Sequence, residues 1–401
     1  MIADYSHDTA QARCLRTRLA DRLTASGALA ADWRPAFMAV PRHPFVPRIF
    51  IPDPDGAYTP LDGTTPGSRT RWLEHVYADD ICITQLDGDP GLWDQALSAG
   101  RVDAAAMTCT SSQPSLIAHM LGALDVHQGH RVLEAGTGTG YNAALLCHRT
   151  DESRVATIDI DPVLVSQAAD TLALAGYRPA CRDADAADGW PECAPFDRII
   201  ATASFPRIPC AWVAQLADEG VILANLHRPL GGGALARLVA TGDKASGRFL
   251  QQPGGFMPTR NHGSPSAYQV FQQVADDADR ADADEVDLDL AEVLGHPEAR
   301  FLAALLCPGV DELRLSYPDA PDERWVLAPD GSWAFTVVGA DGVRVRQGGP
   351  RKLYEEVTGT YRTWAALGRP DRSKFGLTVG GDGAHRVWLG TLDGPGWDLP
   401  A

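Results

Sequence analysis

The stretch RVLEAGTGTGYNAALL, residues 131–146, decides the fold. Its apolar beginning, Val132–Leu133, indicates a buried strand of a parallel sheet, and its Ala/Leu-rich end indicates a helix. The three glycines in between let the backbone pass close to a ligand and adopt conformations that a Cβ disfavours. The helix that follows offers unpaired N–H groups and the positive end of its dipole. The stretch therefore predicts a nucleotide-type site, with a turn that only packs tightly as the alternative.

The spacing of the glycines narrows the type of site. Gly136, Gly138 and Gly140 alternate, whereas the dinucleotide fingerprint Gly-x-Gly-x-x-Gly would need a glycine at Tyr141. No phosphate-loop lysine follows the glycines either. A Gly-x-Gly-x-Gly loop after a strand that ends in Glu134 is typical of methyltransferases that use S-adenosylmethionine and release S-adenosylhomocysteine.

The composition restricts the class of protein. A formal net charge of −17 argues against a nucleic-acid binder or an anionic-membrane binder. Eight scattered cysteines without a Cys-x-x-Cys pair favour reduced thiols inside a cell. We find no signal peptide in MIADYSHDTA and no apolar run of membrane-spanning length, so the sequence predicts a cytoplasmic protein. No metal site is predicted, because four histidines lack ligand spacing: His43, His127, His130 and His148.

The order of elements predicts the architecture. After the glycine stretch, residues 154–162 and 196–204 indicate further buried strands separated by helices, which predicts a doubly wound α/β sheet. With 401 residues, two or three units are expected. We assign residues 1–105 to an N-terminal helical cap with irregular arms, 106–247 to a Rossmann-like class I methyltransferase domain, and 248–401 to a C-terminal α+β accessory domain that is expected to recognise the substrate.

Some segments outside the central domain carry more specific expectations. The proline content of residues 41–50 and the Gly/Pro-rich composition of 52–69 predict irregular structure. Asp-Gly turns are expected at Asp330–Gly331 and Asp341–Gly342. The neighbouring aromatic residues are assigned to a hairpin core rather than to a peptide-binding face: Trp325, Trp333 and Phe335. Two residues are weaker candidates for contact with an acidic peptide: Arg260 and His262.

Acids that follow parallel strands lie where open α/β sheets bind ligands. Asp159 ends the second strand and is placed to accept hydrogen bonds from both ribose hydroxyls, with a helix N-cap or a solvated acid as the alternative. Asp161 is the weaker candidate for the same role. Asp185 could accept a hydrogen bond from the adenine amino group, or could be a plain turn residue. Glu134 is expected to position the glycine loop or the methionine end of the cofactor.

Several motifs together resemble one family. TSSQP (residues 110–114), VLEAGTGTGYNAALL, DGWPE and FDRIIATASFPRIP occur in the order found in the protein-L-isoaspartate O-methyltransferase family, and PRHPFVP is similar to an early segment of that family. The resemblance covers residues 40–226. It implies a Rossmann-like enzyme that esterifies isoaspartyl carboxylates.

The resemblance also implies the roles of individual residues. Ser112 matches the active-site serine, and Gly136, Gly138, Asp159 and Asp185 match cofactor-binding positions. The remaining predicted cofactor contacts are their neighbours and the acid before the loop: Glu134, Thr137, Gly140, Asn142, Ile160 and Ala186. Ser111 and Thr110 join Ser112 as hydroxyl donors to the acceptor.

The acceptor chemistry explains why few catalytic groups are needed. A carboxylate is already ionised at neutral pH, so it attacks the methyl group without a general base, and catalysis consists mostly of positioning. Helix capping by Ser111 or Ser112 is the alternative role for the hydroxyl cluster.

The sequence departs from the family at Ser111, where a hydrophobic residue is usual, and at Ser115, where an aromatic is common. These departures, and a C-terminal segment foreign to the repair enzyme, resemble the extended actinobacterial homologues that accompany ribosomal-peptide maturation. The implied reaction is methylation of an aspartate in a modified peptide, followed by closure of the ester to an aspartimide. General isoaspartyl repair and a non-catalytic peptide-binding module are the alternatives. A peptide partner is expected, without nucleic acid or membrane, and the oligomeric state is not indicated.

Overall fold

The computed structural model describes residues 8–260, 265–316, 322–339 and 342–400. Its helices are α1 (Ala10–Ala25), α2 (Arg34–Ala39), α3 (Arg69–Val76), α4 (Gly91–Ala99), α5 (Pro114–Leu124), α6 (Tyr141–Arg149), α7 (Pro162–Leu174), α8 (Cys210–Ala214), α9 (Ala267–Arg280), α10 (Leu290–Gly295), α11 (Pro297–Leu306) and α12 (Leu353–Ala366). None of these described helices is long and apolar enough to cross a membrane.

The strands are β1 (Arg48–Pro52), β2 (Tyr58–Asp62), β3 (Cys82–Leu86), β4 (Met107–Ser111), β5 (Val132–Ala135), β6 (Val155–Asp159), β7 (Ala180–Asp183), β8 (Phe196–Phe205), β9 (Leu216–Arg228), β10 (Gly232–Thr241), β11 (Lys244–Gly254), β12 (Asp284–Val286), β13 (Asp311–Leu315), β14 (Glu323–Leu327), β15 (Trp333–Gly339), β16 (Gly342–Gly348), β17 (Phe375–Gly380), β18 (His385–Leu389) and β19 (Gly396–Asp398).

The backbone contacts divide the chain into two compact units. The first unit comprises Met1–Ala203, Ala211–Ala224 and Val239–Asp243. The second unit comprises the rest: Ser204–Cys210, Asn225–Leu238 and Lys244–Ala401. Strands β8, β9 and β10 contribute residues to both units, so the second unit begins well before the end of the first.

The first unit contains the predicted parallel sheet. Strand β5 pairs in parallel with β6 and β8, and β6 pairs in parallel with β7. All four residues of β5 are buried, including Glu134, as expected for a central strand of a parallel sheet. The α/β, Rossmann-like class predicted from the glycine stretch is confirmed. Parallel pairing brings the carboxyl ends of these strands to one edge of the sheet, and Asp159 lies there opposite Asp183.

The N-terminal part of the first unit is more regular than the sequence predicts. An antiparallel sheet in the order β2-β1-β3-β4 occupies it, beside helices α1 to α4. The expectation of irregular structure over 52–69 is wrong because it contains β2, and over 41–50 it is wrong from Arg48, where β1 begins. Proline is tolerated in these strands because Pro60 lies on the edge strand and Pro52 ends its strand.

The second unit is α+β, as the sequence of residues 248–401 predicts. Strands β11, β17, β18 and β19 pair antiparallel, and a separate antiparallel sheet has the order β12-β16-β15-β14-β13. The aromatic residues assigned to a hairpin core lie in that core, packed with α9: Trp325, Trp333 and Phe335. Gly331 has a φ of +82°, as the Asp330–Gly331 turn requires. The predicted turn residue Asp341 and the peptide-contact candidate His262 lie outside the described residues.

Candidate functional site

The glycine loop joins β5 to α6 with a backbone that needs glycine. Gly136, Gly138 and Gly140 have φ values of +107°, +50° and +84°. At Gly136 a Cβ would also lie 2.8 Å from the Thr202 hydroxyl oxygen, which donates a hydrogen bond of 2.6 Å to the carbonyl of the same glycine. Gly140 is the N-cap of α6. The loop is therefore held by β8 and is free of side chains at alternate positions.

Glu134 lies just before this loop and is hydrogen-bonded to the elements around it. Its carboxylate is 0% exposed and accepts hydrogen bonds of 2.7 Å from the Asn142 side-chain amide and the Thr157 hydroxyl. The Thr157 and Thr137 hydroxyls are in turn 2.7 Å apart. Burial raises the pKa of the Glu134 carboxyl to about 7. Both of its oxygens are used inside the protein, so Glu134 connects the loop, α6 and β6 to one another.

Asp159 lies at the carboxyl end of β6 and reaches the loop directly. The N–H of Gly138 donates a 2.9 Å hydrogen bond to its carboxylate. The next residue, Ile160, leaves an apolar side chain 39% exposed. The N–H of Ala184 donates to the Asp159 carbonyl at 3.0 Å, which brings the turn after β7 alongside. Asp185 follows Ala184 in the chain. The two predicted ligand acids, Asp159 and Asp185, therefore lie at the same edge of the sheet.

Asp185 and Ala186 begin a short 3₁₀ helix after β7. The Asp185 side chain accepts a 2.9 Å hydrogen bond from the Ala187 N–H, as a turn aspartate does. The Ala186 carbonyl accepts a 2.7 Å bond from the Trp212 indole N–H. These bonds fix the backbone of the turn beside Asp159.

Asp161 has a different role from its neighbour. It is the N-cap of α7, and its carboxylate accepts hydrogen bonds from the N–H groups of Val163 at 2.9 Å and Leu164 at 3.2 Å. Its other oxygen accepts a 3.0 Å bond from the amide of Gln85. The capping alternative that the sequence leaves open for Asp159 is thus realised two residues later.

The predicted hydroxyl cluster lies beside the glycine loop. Thr110 and Ser111 are the last residues of β4, and a Cβ at Gly138 would lie 3.7 Å from the Cys109 sulfur and 3.8 Å from the Thr110 carbonyl oxygen. Ser112 follows the strand and is half-buried. The structure thus brings the loop, Asp159 and the end of β4 into one place.

Neither serine caps α5. That helix begins at Pro114 with Gln113 as N-cap and no side-chain cap bond, so the alternative role of capping by Ser111 or Ser112 is wrong. The Asp79 carboxylate instead accepts a 2.8 Å hydrogen bond from the Ser115 N–H in the first turn. A residue distant in sequence caps the helix, which leaves the serines for other contacts.

Arg42 is the main residue near this site that the sequence-based assignments do not include. It is 0% exposed, and its guanidinium donates hydrogen bonds to the Ser111 hydroxyl and to the carbonyls of Ser111 and Ser112. The only sequence signal is its place in the PRHPFVP segment. The contacts span 69 and 70 residues along the chain, so no local pattern could have found them.

The residues present fit S-adenosylmethionine. The alternate glycines put backbone without side chains next to the start of a helix, and two carboxylates at the sheet edge suit hydroxyl and amino donors. The side-chain oxygen of Asn142, just after the loop, is also buried and has no hydrogen-bond partner among the described residues.

This fold and this loop define an S-adenosylmethionine-dependent methyltransferase of class I. The family model for protein-L-isoaspartate(D-aspartate) O-methyltransferase matches residues 94–246. A protein-L-isoaspartate O-methyltransferase of Xanthobacter autotrophicus is 44% identical over 168 residues, which cover 41% of this chain and 75% of that protein. The chain belongs to this methyltransferase family.

Other relatives are matched over a shorter part of their length. A protein-L-isoaspartate O-methyltransferase of Anaeromyxobacter dehalogenans is 46% identical over 115 residues, and this chain spans only 53% of it. A solved structure titled protein-L-isoaspartate O-methyltransferase covers 94% of this chain and is itself covered completely, with a TM-score of 0.53 and 19% identity. That match includes most of the C-terminal region, so the expectation that this region is foreign to proteins of that name is wrong at the level of the fold.

Proposed function

We propose that this chain transfers the methyl group of S-adenosylmethionine to a side-chain carboxylate of a peptide or protein. The observation that carries the proposal is the closeness of the glycine loop to the end of β4: a Cβ at Gly138 would lie 3.7 Å from the Cys109 sulfur and 3.8 Å from the Thr110 carbonyl oxygen. A cofactor held by the loop and an acceptor held by Thr110–Ser112 would then meet. Membership of the family supports the same reaction.

Each residue has a defined part in this proposal. S-adenosylmethionine, when bound, supplies an electrophilic methyl group on a sulfonium centre. Asp159 and Asp185 accept hydrogen bonds from its ribose and adenine, and Ile160 offers an apolar surface to the base. The Ser112 hydroxyl forms no hydrogen bond with the described residues, so it is available to hold the acceptor carboxylate. That carboxylate is ionised near neutral pH and needs no base.

For the acceptor, our finer proposal is an aspartate in a modified ribosomal peptide. After esterification, the next backbone nitrogen attacks the ester carbonyl and forms the new N–C bond, the C–OCH3 bond breaks, the methoxide takes up the amide proton and leaves as methanol, and an aspartimide forms. The departures at Ser111 and Ser115 support this choice, because they make the turn after β4 more polar than is usual in the family. General isoaspartyl repair uses the same methyl transfer, and the site geometry fits both acceptors.

Methyl transfer from labelled S-adenosylmethionine separates these possibilities. The full chain is incubated with a simple isoaspartyl peptide and, in parallel, with a macrocyclic aspartyl peptide, and the products are analysed by mass spectrometry for a methyl ester and for the loss of water that marks an aspartimide. Preference for the isoaspartyl peptide would assign repair and reject the finer proposal.

The Ser112→Ala variant tests the non-catalytic alternative. We expect it to retain cofactor binding by calorimetry while losing most methyl transfer, since the hydroxyl contacts the acceptor only. A wild-type chain that binds S-adenosylhomocysteine but methylates no acidic peptide would make the protein a binding module.

A further inference from the structure

The side chain of Arg42 ties together two segments that are distant in sequence. Its guanidinium donates hydrogen bonds of 2.8 Å to the Val76 carbonyl and 3.1 Å to the Asp80 carbonyl. It also donates 3.0 Å bonds to the carbonyls of Ser111 and Ser112 and a 3.2 Å bond to the Ser111 hydroxyl. Five acceptors on one buried side chain fix the geometry of the backbone around it.

This arrangement is unusual because every one of these acceptors is neutral. Burying a charge without a counter-charge is costly, and a guanidinium persists there only when its donors are well satisfied. The planar fork of arginine matches several carbonyls at once, which the ammonium of a lysine cannot do. A turn that only needed to be closed could use backbone hydrogen bonds instead.

We define the acceptor turn as Ser111–Ser115. Residues 76–80, which include two of the acceptors of Arg42, also bind the other end of this turn. Asp79 accepts the 2.8 Å bond from the Ser115 N–H, and the Asp79 carbonyl accepts a 3.2 Å bond from the Gln113 side-chain amide. Arg42 at its beginning and Asp79 at its end therefore fasten the acceptor turn to residues 76–80.

We propose that Arg42 is a positioning residue for methyl transfer: by holding the carbonyls of Ser111 and Ser112, it fixes the Ser112 hydroxyl where the acceptor carboxylate binds. This inference rests on the proposed function. Arg42 is 0% exposed and so offers no surface to a substrate or cofactor, which leaves the acceptor turn as the route by which it would act. Displacements of about 1 Å in such a group cost up to about a hundredfold in rate.

The test compares Arg42→Lys with Arg16→Lys. Arg16 is a matched control because it is also a buried arginine of the first unit, with bonds of 2.9 Å from its two terminal nitrogens to the Asp8 carboxylate. We expect Arg42→Lys to lower kcat by about tenfold or more while the dissociation constant for S-adenosylhomocysteine changes by less than about twofold. Arg16→Lys is expected to leave kcat within about twofold, because it does not contact the acceptor turn. Equal kcat values for the two variants would overturn the proposal.

A double-mutant cycle with Ser112→Ala adds a readout that a general structural role would not move. If Arg42 acts through Ser112, the two substitutions together lower kcat hardly more than Ser112→Ala alone. Effects on kcat that multiply would mean that Arg42 acts elsewhere.

Hydrogen exchange of the acceptor turn tests the inference without activity. In Arg42→Lys the backbone amides of Ser111, Ser112, Gln113 and Ser115 should exchange faster than in Arg16→Lys, with the glycine loop unchanged. No difference in exchange would overturn the positioning role, whether or not the wild type methylates. A wild-type chain that shows slow exchange there but methylates no carboxylate would reject the proposed function alone.

Discussion

At the scale of single residues, the buried carboxyl of Glu134 gives a pH dependence. Its pKa is raised from 4.5 to about 7 in the folded protein, chiefly by burial. The folded chain therefore keeps a proton that the unfolded chain has already released. The associated stability is fully present below about pH 4.5 and is lost as the pH rises through about 7, a difference of about 3 kcal/mol.

We predict that Glu134→Gln flattens this part of the pH dependence. Glutamine keeps the shape and cannot ionise, so the variant should gain free energy of unfolding relative to the wild type between pH 5 and 8. Urea unfolding at pH 5 and at pH 8 measures the difference in free energy of unfolding between wild type and variant. Glu74→Gln is the control, because Glu74 is exposed. A wild-type to variant difference that is the same at both pH values would show that Glu134 does not titrate in this range.

Two aspartates two positions apart are expected to respond in opposite ways. Asp159→Ala should weaken S-adenosylhomocysteine binding by about tenfold or more, because the proposed ribose contact is lost, while its cost in stability is limited to about 1 kcal/mol for the hydrogen bond from the Gly138 N–H. Asp161→Ala should lower stability by about 1–2 kcal/mol, because α7 loses its N-cap, with a smaller effect on affinity. Calorimetric titration and thermal melting of both variants check the pair. Unchanged affinity in Asp159→Ala would assign the ribose to another group.

At the scale of elements, the glycine loop offers a controlled test of its own geometry. Gly136→Ala should cost about 1 kcal/mol for the positive φ and a further 1–3 kcal/mol or so for the clash with Thr202. Gly176 is the matched control, since its φ of +89° carries the same penalty while a Cβ there would meet nothing within 4 Å. Denaturant unfolding of both variants measures the costs. Equal losses would mean that Thr202 moves aside freely.

The elements recognised from the sequence are those whose signals are local. The β5 strand, the glycines and α6 are contiguous, so residues 132–149 contain the whole pattern. The antiparallel sheet of the first unit is not recognised, because its strands are short and proline-bearing and depend on distant pairing. Tyr58, for example, is bridged to Val102. The site follows the same rule. The spacing of residues along the chain predicts the glycine loop and the acids, whereas the buried contacts of Arg42 join residues that are far apart in the sequence.

At the scale of the whole molecule, the limits of the second unit could not be read from composition. The change in composition and pattern near residue 247 marks the start of the longest segment of the second unit. Two earlier segments, Ser204–Cys210 and Asn225–Leu238, also belong to it by contact. They follow directly on strands of the first unit and share their apolar character, so only the fold reveals the assignment.

This interleaving predicts the result of ending the chain at Gly247. Ser204 is 0% exposed, and its N–H and hydroxyl donate hydrogen bonds of 2.8 Å and 2.6 Å to the carbonyls of Met257 and Phe256. The Ile208 N–H likewise donates a 3.0 Å bond to His385. A truncated chain leaves these groups without partners at about 1–3 kcal/mol each and exposes the apolar residues beside them.

We therefore expect the truncated chain to aggregate or to melt far below the full chain, instead of behaving as an independent methyltransferase domain. Size-exclusion chromatography and thermal melting measure this, and Ser204→Ala in the full chain is the control, because it removes one of the bonds and keeps the second unit. A monomeric truncated chain that melts like the full protein and binds S-adenosylhomocysteine would show instead that residues 1–247 fold without the remainder. In that case we expect the second unit to determine peptide selectivity, which is measured by comparing methyl transfer to the isoaspartyl peptide and to the macrocyclic aspartyl peptide.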